Sequence, residues 1–555
     1  MADLPRINHS SDTTIVIRPA NLSLSAEARA PQFAAWTQAV RAAALPGVVD
    51  VIASPDCVTV VYDPLVISSL ANLTAHIAEV VHTVVMSSTG GTTHEVPVCY
   101  GADDGPDCDA VCRHHRISME TLIRLHTGPD YLVTAIGFAP GFPYLAGLDE
   151  QLATPRRATP RTRIPAGSVG IGGSQTGIYP FATPGGWQLI GRTDFPLFDV
   201  TAPQPARLHV GDRLRFRETA ERPTPTPPPA VVPLPAQRAR PVATVLTPGL
   251  LTTVQDLGRP GHRAAGVPSG GAADRLSARL ANLLVGNEDT AAVLEFSLTG
   301  PTLRFEAATT IAIAGGGLAG LPTLRPLAMQ AGDLLELGHL ASGCRGYLAI
   351  AGGLTVPRIL GSRSTYLPGG FGGLSGRPLA AGDQLHVDQP AHLVADHSWS
   401  LSPSLIPITP PGGRTTLRFI PSEPDQPAIA ALPEASLRAL SSSDRMGLRM
   451  AGSLPAAASD GVSRGVLPGT IQLPPDGNPI LLLADAQTIG GYPVLGQVIA
   501  ADLPLAGQIR PGEGVRFEPT SIPRAHRLLR VQQDMLETAW RGIATHLRPL
   551  RAATS

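Results

Sequence analysis

Glycine and proline recur every few residues through most of this sequence. It has 58 glycines and 56 prolines in 555 residues, about a fifth of the chain. Proline fixes φ and removes an N–H, and glycine opens conformations suited to turns, so such a chain favours short strands and many turns over long helices. Residues 94–217 and 243–518 carry these interruptions throughout, which is a β-barrel or sandwich signature. A short motif, Gly-acid-x-apolar-x-apolar, recurs as GDRLRF at 211–216, GDLLEL at 332–337, GDQLHV at 382–387 and GEGVRF at 512–517. Each copy reads as a turn feeding a strand of period-two alternation, so several similar β units are expected rather than one large sheet.

Other segments have different periods. Residues 13–90 read as a small α/β unit: strands at 14–17, 48–52 and 58–62, and helices at 33–44 (Phe33, Trp36, Val40) and 70–84. The order β-α-β-β-α opens a ferredoxin-like split motif, suited to a structural or docking domain. One short helix is expected at 118–127. Residues 218–240 are proline-rich without an apolar period and read as a semi-rigid linker. The arginine-rich tail at 523–550 is helical in period, with Leu528, Leu529, Val531, Met535, Leu536, Trp540 and Ile543. The expected organisation is an α/β domain at 13–90, a barrel at 91–217, the linker at 218–240, paired barrels at 241–522, and a helix with tail at 523–555.

Composition excludes several function classes. The formal net charge is −1 and charged residues are 16%, so no global field favours nucleic acid or an anionic membrane. No run of about 18 apolar residues predicts a membrane span. The first residues lack a signal pattern and five cysteines do not make a disulfide framework, so cytoplasm is the expectation. Cys108 and Cys112 lie near His114 and His115, but the spacing is not a metal-binding pair and no metal is expected. Every one of the 43 basic residues is arginine. The absence of lysine removes phosphate-loop, Schiff-base and covalent biotin-carrier chemistry from this sequence.

Two motif matches fail on context. GGGLAG at 315–320 has dinucleotide-loop spacing, but Pro322 and Pro326 forbid the helix that should follow. GVSRG at 461–465 matches a nucleophile elbow, but no strand precedes it and Pro468 interrupts any following helix. Four longer runs are more informative. GFAPGFPYL at 137–145 concentrates aromatics in a chain where they are 4%. The run at 154–180 places Arg156, Arg157, Arg161 and Arg163 beside rigid prolines and glycine-rich backbone, including Gly167 and Ser168, with Gln175 following. Guanidinium forks and amides walled by aromatics compose an anion or carboxylate pocket, and rigid barrel corners with solvated arginines have the same composition. The run at 252–274 offers Gln255, Asp256, Arg259 and His262, then Asp274; the run at 476–492 brackets a short apolar strand with Asp476, Asn478, Asp485, Gln487, Thr488 and Tyr492. Polar residues at strand ends beside glycine turns line barrel mouths or cap turns.

At these runs the sequence resembles a known family. GFAPGFPYL, TPRRATPRTRIPAGSVGIGGSQTGIYP and PGGWQLIGRT are similar to the first-component half of the allophanate-hydrolase-like family, with KipI-type proteins and the B subunit of bacterial 5-oxoprolinase. TPGLLTTVQDLGRPGHRAAGVPSGGAAD, ANLLVGN, GYLAIAGGL, LGSRST and DAQTIGGYP are similar to the second-component half, the KipA-type proteins or C subunits. Both halves also resemble the carboxyltransferase part of urea carboxylase. The resemblance covers roughly residues 13–518 and implies a fusion of the two components. It implies an α+β, predominantly β fold, with a small ferredoxin-like α/β domain followed by cyclophilin-like β-barrel domains. The implied activity is ATP-dependent opening of 5-oxoproline to glutamate, carried out together with a separate A-type 5-oxoprolinase component, with ATP shared with that partner. By residue type, Arg156, Arg161, the amides from 167 to 173 and Gln175 suit phosphate or carboxylate, and His126, Asp476 and Asp485 suit proton handling. Two other readings compete: a biotin-dependent carboxyltransferase acting on urea or a related amide, and a KipI-type sensor-kinase inhibitor.

Overall fold

The computed structural model describes residues 5–20, 24–84, 91–222, 224, 239–388, 399–406, 408–422, 426–455 and 463–552. Most of the 218–240 linker, and Gly461 and Val462 of the GVSRG run, lie outside the described residues. The described fold is mostly β, with two closed seven-stranded barrels and few helices.

The chain opens with a four-stranded antiparallel sheet in the order Arg6–His9, Thr14–Arg18, Val58–Tyr62, Val48–Ala53. Helices Ala26–Ala42 and Leu70–His82 supply Phe33, Trp36, Leu73 and Ile77 to a core with Ile15, Val58, Val60 and Tyr62. Ile52 and Val61 join a different cluster, made with the first barrel, so this sheet is covered on both faces. Two details differ from the sequence expectation. The first helix starts at Ala26, with Ser25 capping the Ala28 N–H, and passes through Pro31. Strand Arg6–His9 takes the sheet edge beside Thr14–Arg18, the position that a strand after the second helix takes in a split βαβ motif.

The first closed barrel orders its strands Gln175–Ile178, Pro143–Ala146, Tyr131–Ile136, Arg213–Glu218, Thr93–Tyr100, Gln188–Arg192, Ser168–Gly172. The second orders Arg414–Pro421, Val494–Val498, Thr470–Gln472, Ile480–Leu482, Gly447–Ala451, Leu437–Ala439, Gly514–Pro519. Between them, where one member of a barrel pair is expected, lie a four-stranded and a five-stranded sheet. The chain between strands Arg345–Ile350 and Gln384–Val387 runs as turns and isolated bridges, so no strand joins the two sheets.

The repeated motif has one structural meaning in all four places. Its glycines adopt positive φ (Gly211, Gly332, Gly382 and Gly512). Each following acid accepts the backbone N–H three residues earlier: Asp212 from His209, Asp333 from Gln330, Asp383 from Ala380, Glu513 from Arg510. In the two closed barrels the strand that follows pairs in parallel with the first strand, Arg213–Glu218 with Thr93–Tyr100 and Gly514–Pro519 with Arg414–Pro421. In those two places the motif is the barrel-closing turn; at 332 and 382 it feeds edge strands of an open four-stranded sheet.

Helix Ile522–Ala552 ends the described chain; its Leu536, Ala539 and Ile543 pack on helix Arg275–Leu284. No described helix is long and apolar enough to cross a membrane. All five cysteines are unpaired.

Candidate functional site

All four runs meet in one seam. Gly141 of the GFAPGFPYL loop donates its N–H to Ala265 O at 2.8 Å. Phe142, Tyr144, Tyr179 and Trp187 of the first barrel pack edge to face, and share a cluster with Ile489 of the last run. Arg263 is fully buried and ties three units together. Its backbone N–H reaches Asp50 Oδ2 of the front sheet at 2.8 Å, and its guanidinium donates to Val466 O and to Ser269 Oγ. Burial pushes this guanidinium down to about 10, against the pull of Asp50.

The loop from Asp256 to Gly271 is held from inside. Asp256 accepts from the Gly258 N–H (2.7 Å), the Ser362 and Ser364 hydroxyls (2.6 and 2.5 Å) and the Arg363 N–H (2.6 Å). With its acceptor sites filled, this carboxylate organises the loop. Arg259 is 0% exposed, stacks on Phe371 with Cζ 5.2 Å from the ring centre, and donates to Ser364 O. Its Nε and Nη1 have no protein partner among the described residues.

Gly270 is the corner of the site. Its N–H binds Ala484 O at 3.1 Å, and its φ of +61° is one that other residues rarely adopt. A Cβ there would lie 3.2 Å from Arg259 Nη1 and 3.7 Å from Asp485 Oδ1, so the guanidinium and the carboxylate flank this glycine. Gln255 Oε1, Arg263 Nε and Thr488 Oγ1 are likewise buried without partners in the same seam. Buried polar groups are rarely left unmade, and a cluster of them is what a small polar ligand would complete. The Arg259 donors suit a carbonyl or carboxylate oxygen, and Gln255 Oε1 suits an amide N–H.

Asp485 is fixed by a wider network. Arg445 binds both of its oxygens, and also donates to Glu295 and to Gly271 O. Glu295 accepts the Ala273 N–H and the Tyr347 hydroxyl, each at 2.8 Å. Burial opposes the Glu295 charge, but Arg445 and Arg345 hold its pKa below the usual value. Asp274 caps helix Arg275–Leu284 through Ser277 and accepts from Gln508 at 2.7 Å. Glu295, Arg445 and Arg263 are central here and absent from the sequence-based candidates. The available signal was a lone acid or arginine within otherwise apolar or small-residue runs, as in AAVLEFSL and GHRAAG.

The remaining candidates fall elsewhere. His126 is sealed inside the first barrel, with Nδ1 2.7 Å from the Tyr100 hydroxyl, Nε2 3.1 Å from Thr176 Oγ1, and its ring stacked on Phe216. Burial pushes its pKa down to about 3. Arg161 donates to Asp107 at 2.8 Å, and Arg157 shares that carboxylate at 3.1 Å. Arg156 lies over Trp187 at 6.0 Å, on the rim of the aromatic cluster. Gly167 and Ser168 are main-chain parts of the barrel: the Gly167 N–H binds Tyr179 O and Ser168 O accepts from Tyr179. Gln175 pairs with Gly172 at a hairpin end. Asp476 caps the Asn478 N–H at 3.1 Å in a surface turn, and Asn478 accepts from Gly452, at the opposite end of strand Ile480–Leu482 from Asp485. Gln487 contributes its carbonyl to Arg263 at 3.5 Å, and Tyr492 is exposed.

Comparison with known proteins matches both halves. The family described as carboxyltransferase domain, subdomain C and D, covers residues 5–208, and carboxyltransferase domain, subdomain A and B, covers residues 265–519. The B subunit of 5-oxoprolinase from Haemophilus influenzae is 55% identical over 131 residues, 24% of this chain and 62% of that protein; the chain thus spans less than two thirds of that relative. The C subunit of 5-oxoprolinase from Escherichia coli is 37% identical over 316 residues, 54% of this chain and 97% of that protein. The crystal structure of TTHA0988 superposes with a TM-score of 0.80 at 34% identity, covering 91% of this chain and 99% of that one.

Proposed function

This chain belongs to the carboxyltransferase-domain family, with both subdomain pairs in one polypeptide, and from that premise we propose that it is the fused B and C subunits of an ATP-dependent 5-oxoprolinase. In this reading the barrels are cyclophilin-like, the front module is a ferredoxin-like variant with its edge strand supplied from the N-terminal side, and the protein works in the cytoplasm with a partner of the 5-oxoprolinase A type. The observation that carries it is the corner at Gly270, where Arg259, buried with two unpaired nitrogens, and Asp485 from a separate part of the chain flank one glycine.

The substrate is a lactam, whose carbonyl is inert to water at neutral pH. Transfer of the ATP terminal phosphoryl group to the carbonyl oxygen releases ADP. A first water adds at the activated carbon and the ring C–N bond breaks, with the nitrogen taking a proton, to leave an acyl phosphate. A second water hydrolyses that acyl phosphate, releasing phosphate and leaving the side-chain carboxylate of glutamate. This chain's part is recognition and charge placement. Arg259 holds the substrate oxygen or carboxylate, Gln255 accepts the ring N–H, and the aromatic cluster of the first barrel, with Arg156 at its rim, walls off water. Asp485 and Arg445 hold the Gly270 corner in position.

Carboxyl transfer to urea or a related amide is the second reading, favoured by the family's carboxyltransferase description. A biotin for it would be attached to another chain, because biotin is joined to lysine and this sequence has none. Growth of a host deleted for this gene separates the two. Loss of growth on 5-oxoproline as nitrogen source, with growth on urea retained, supports the oxoprolinase; the reverse pattern overturns it.

A further inference from the structure

The Gly270 corner is not the only place where polar groups from separate parts of the chain meet. A cavity of about 70 Å³ lies between the front sheet and the last barrel and shares no lining residue with that corner. Its polar lining includes Ser10, Thr14, Arg18 and Thr59 from the front module and Arg464 from the last unit, with no aspartate or glutamate. The cavity is thus formed only when the first and second halves are together.

Several donors of the lining have no partner among the described residues. Arg18 donates from one Nη to Asp56 at 3.3 Å, outside the lining, and makes no other side-chain hydrogen bond among the described residues. The Arg464 side chain has no hydrogen bond or ion pair among the described residues. Gln497 is committed, donating to Pro468 O and accepting from Thr470. Thr59 Oγ1 has only a long contact, 3.8 Å to Cys57 Sγ. The Ser10 and Thr14 hydroxyls bond each other at 2.7 Å, Ser422 donates to Val494 O and Thr470 to Gln497, so the uncommitted polar lining is the two guanidiniums and the Thr59 hydroxyl, in a space of several waters and too small for a nucleoside.

We propose that this cavity binds a small tetrahedral oxyanion, with inorganic phosphate the ligand of matching size and charge, and that the bound anion braces the front module against the last barrel. Several acceptor oxygens on one ion satisfy both arginines and the Thr59 hydroxyl at once, which a single carboxylate does not. A ligand that binds only the joined halves raises the unfolding temperature as its concentration passes its Kd.

The test is thermal unfolding of the full chain against phosphate, sodium chloride at matched ionic strength, and ADP, with equilibrium dialysis of labelled phosphate as the direct readout. The expected result is a saturable rise with phosphate that exceeds chloride. It should weaken about tenfold or more in Arg464→Met and in Arg18→Met, the loss of a charge-assisted contact, and remain intact in Arg259→Met. An equal rise with chloride, an unchanged phosphate affinity in both arginine variants, or a response to ADP without one to phosphate overturns the proposal. Dialysis of whichever variant folds carries the decision if the other does not.

Discussion

Arg445 grips both oxygens of Asp485, with Nε to Oδ2 at 2.8 Å and Nη2 to Oδ1 at 3.1 Å, and the same guanidinium also holds Glu295 of the middle unit. Burial works against the Arg445 charge, but Asp485 and Glu295 outweigh it and hold its pKa above the ordinary value. The clamp makes the last barrel and the middle unit one body and fixes the corner at which Arg259 sits. Removing one partner leaves a buried charge short of compensation. Asp485→Asn is expected to cost about 3 kcal/mol of unfolding free energy, read from urea denaturation. In a double-mutant cycle with Glu295→Gln the two losses should not add, because both act through Arg445.

Arg259→Met should separate function from stability. The arginine is buried with two nitrogens unpaired, so its replacement by an apolar side chain relieves desolvation while giving up the bond to Ser364 O and the stacking on Phe371. Unfolding free energy should stay within about 1 kcal/mol of the parent, while kcat/KM in the reconstituted reaction falls by about 100-fold or more. A large loss of stability with specific activity retained would make Arg259 a structural residue.

Arg161→Ala is expected to behave in the opposite way. Arg161 donates one Nη to Asp107, which also takes the Leu189 N–H at 2.7 Å and thereby anchors the 154–163 run to the barrel wall, while its other Nη is buried without a partner among the described residues. Its side chain is partly exposed, so the cost should be about 1 kcal/mol, with turnover near that of the parent. A fall in turnover without a change in melting temperature would return Arg161 to the substrate.

Asp12 predicts a pH effect. Burial raises its pKa to about 6, partly offset by the Ala500 N–H on one oxygen and by the charge of His526. A carboxyl whose folded pKa is raised gives its full stability below the unfolded value and loses it as pH rises through the folded value. The penalty should therefore develop between about pH 4 and pH 6 and reach about 3 kcal/mol at most. Asp12→Asn should be more stable than the parent at pH 8 and equal to it at pH 3.5, measured by denaturant unfolding at both.

The strands and helices were legible wherever the period was clean. The sequence places strand 58–62 and the helix ending at Thr127 where the structure has them, and two of the four glycine-acid turns mark barrel closure. The first helix begins earlier than expected because Ser25 caps it and the chain accommodates Pro31. The middle unit's two sheets were not legible, since the turns between Ile350 and Gln384 read like the loops of a barrel. For the candidate site, residue type pointed to Gln255, Arg259 and Asp485, whose runs are dense in polar groups and which the fold brings into one seam. It missed Glu295 and Arg445, because a single ionisable side chain in an apolar strand or a serine-rich turn shows its partner only after folding. Asp476 and Asp485, nine positions apart, look equivalent in sequence; strand Ile480–Leu482 sends them to opposite ends of the barrel.

Glutamate formation tests the central claim most directly. The purified chain, a partner of the 5-oxoprolinase A type, ATP and 5-oxoproline are combined, and glutamate and ADP are measured over time, with Arg259→Met in parallel. The account predicts glutamate in step with ADP for the parent chain and at least about 100-fold less for the variant. Glutamate no greater than with the partner by itself, or equal glutamate from parent and variant, would contradict it.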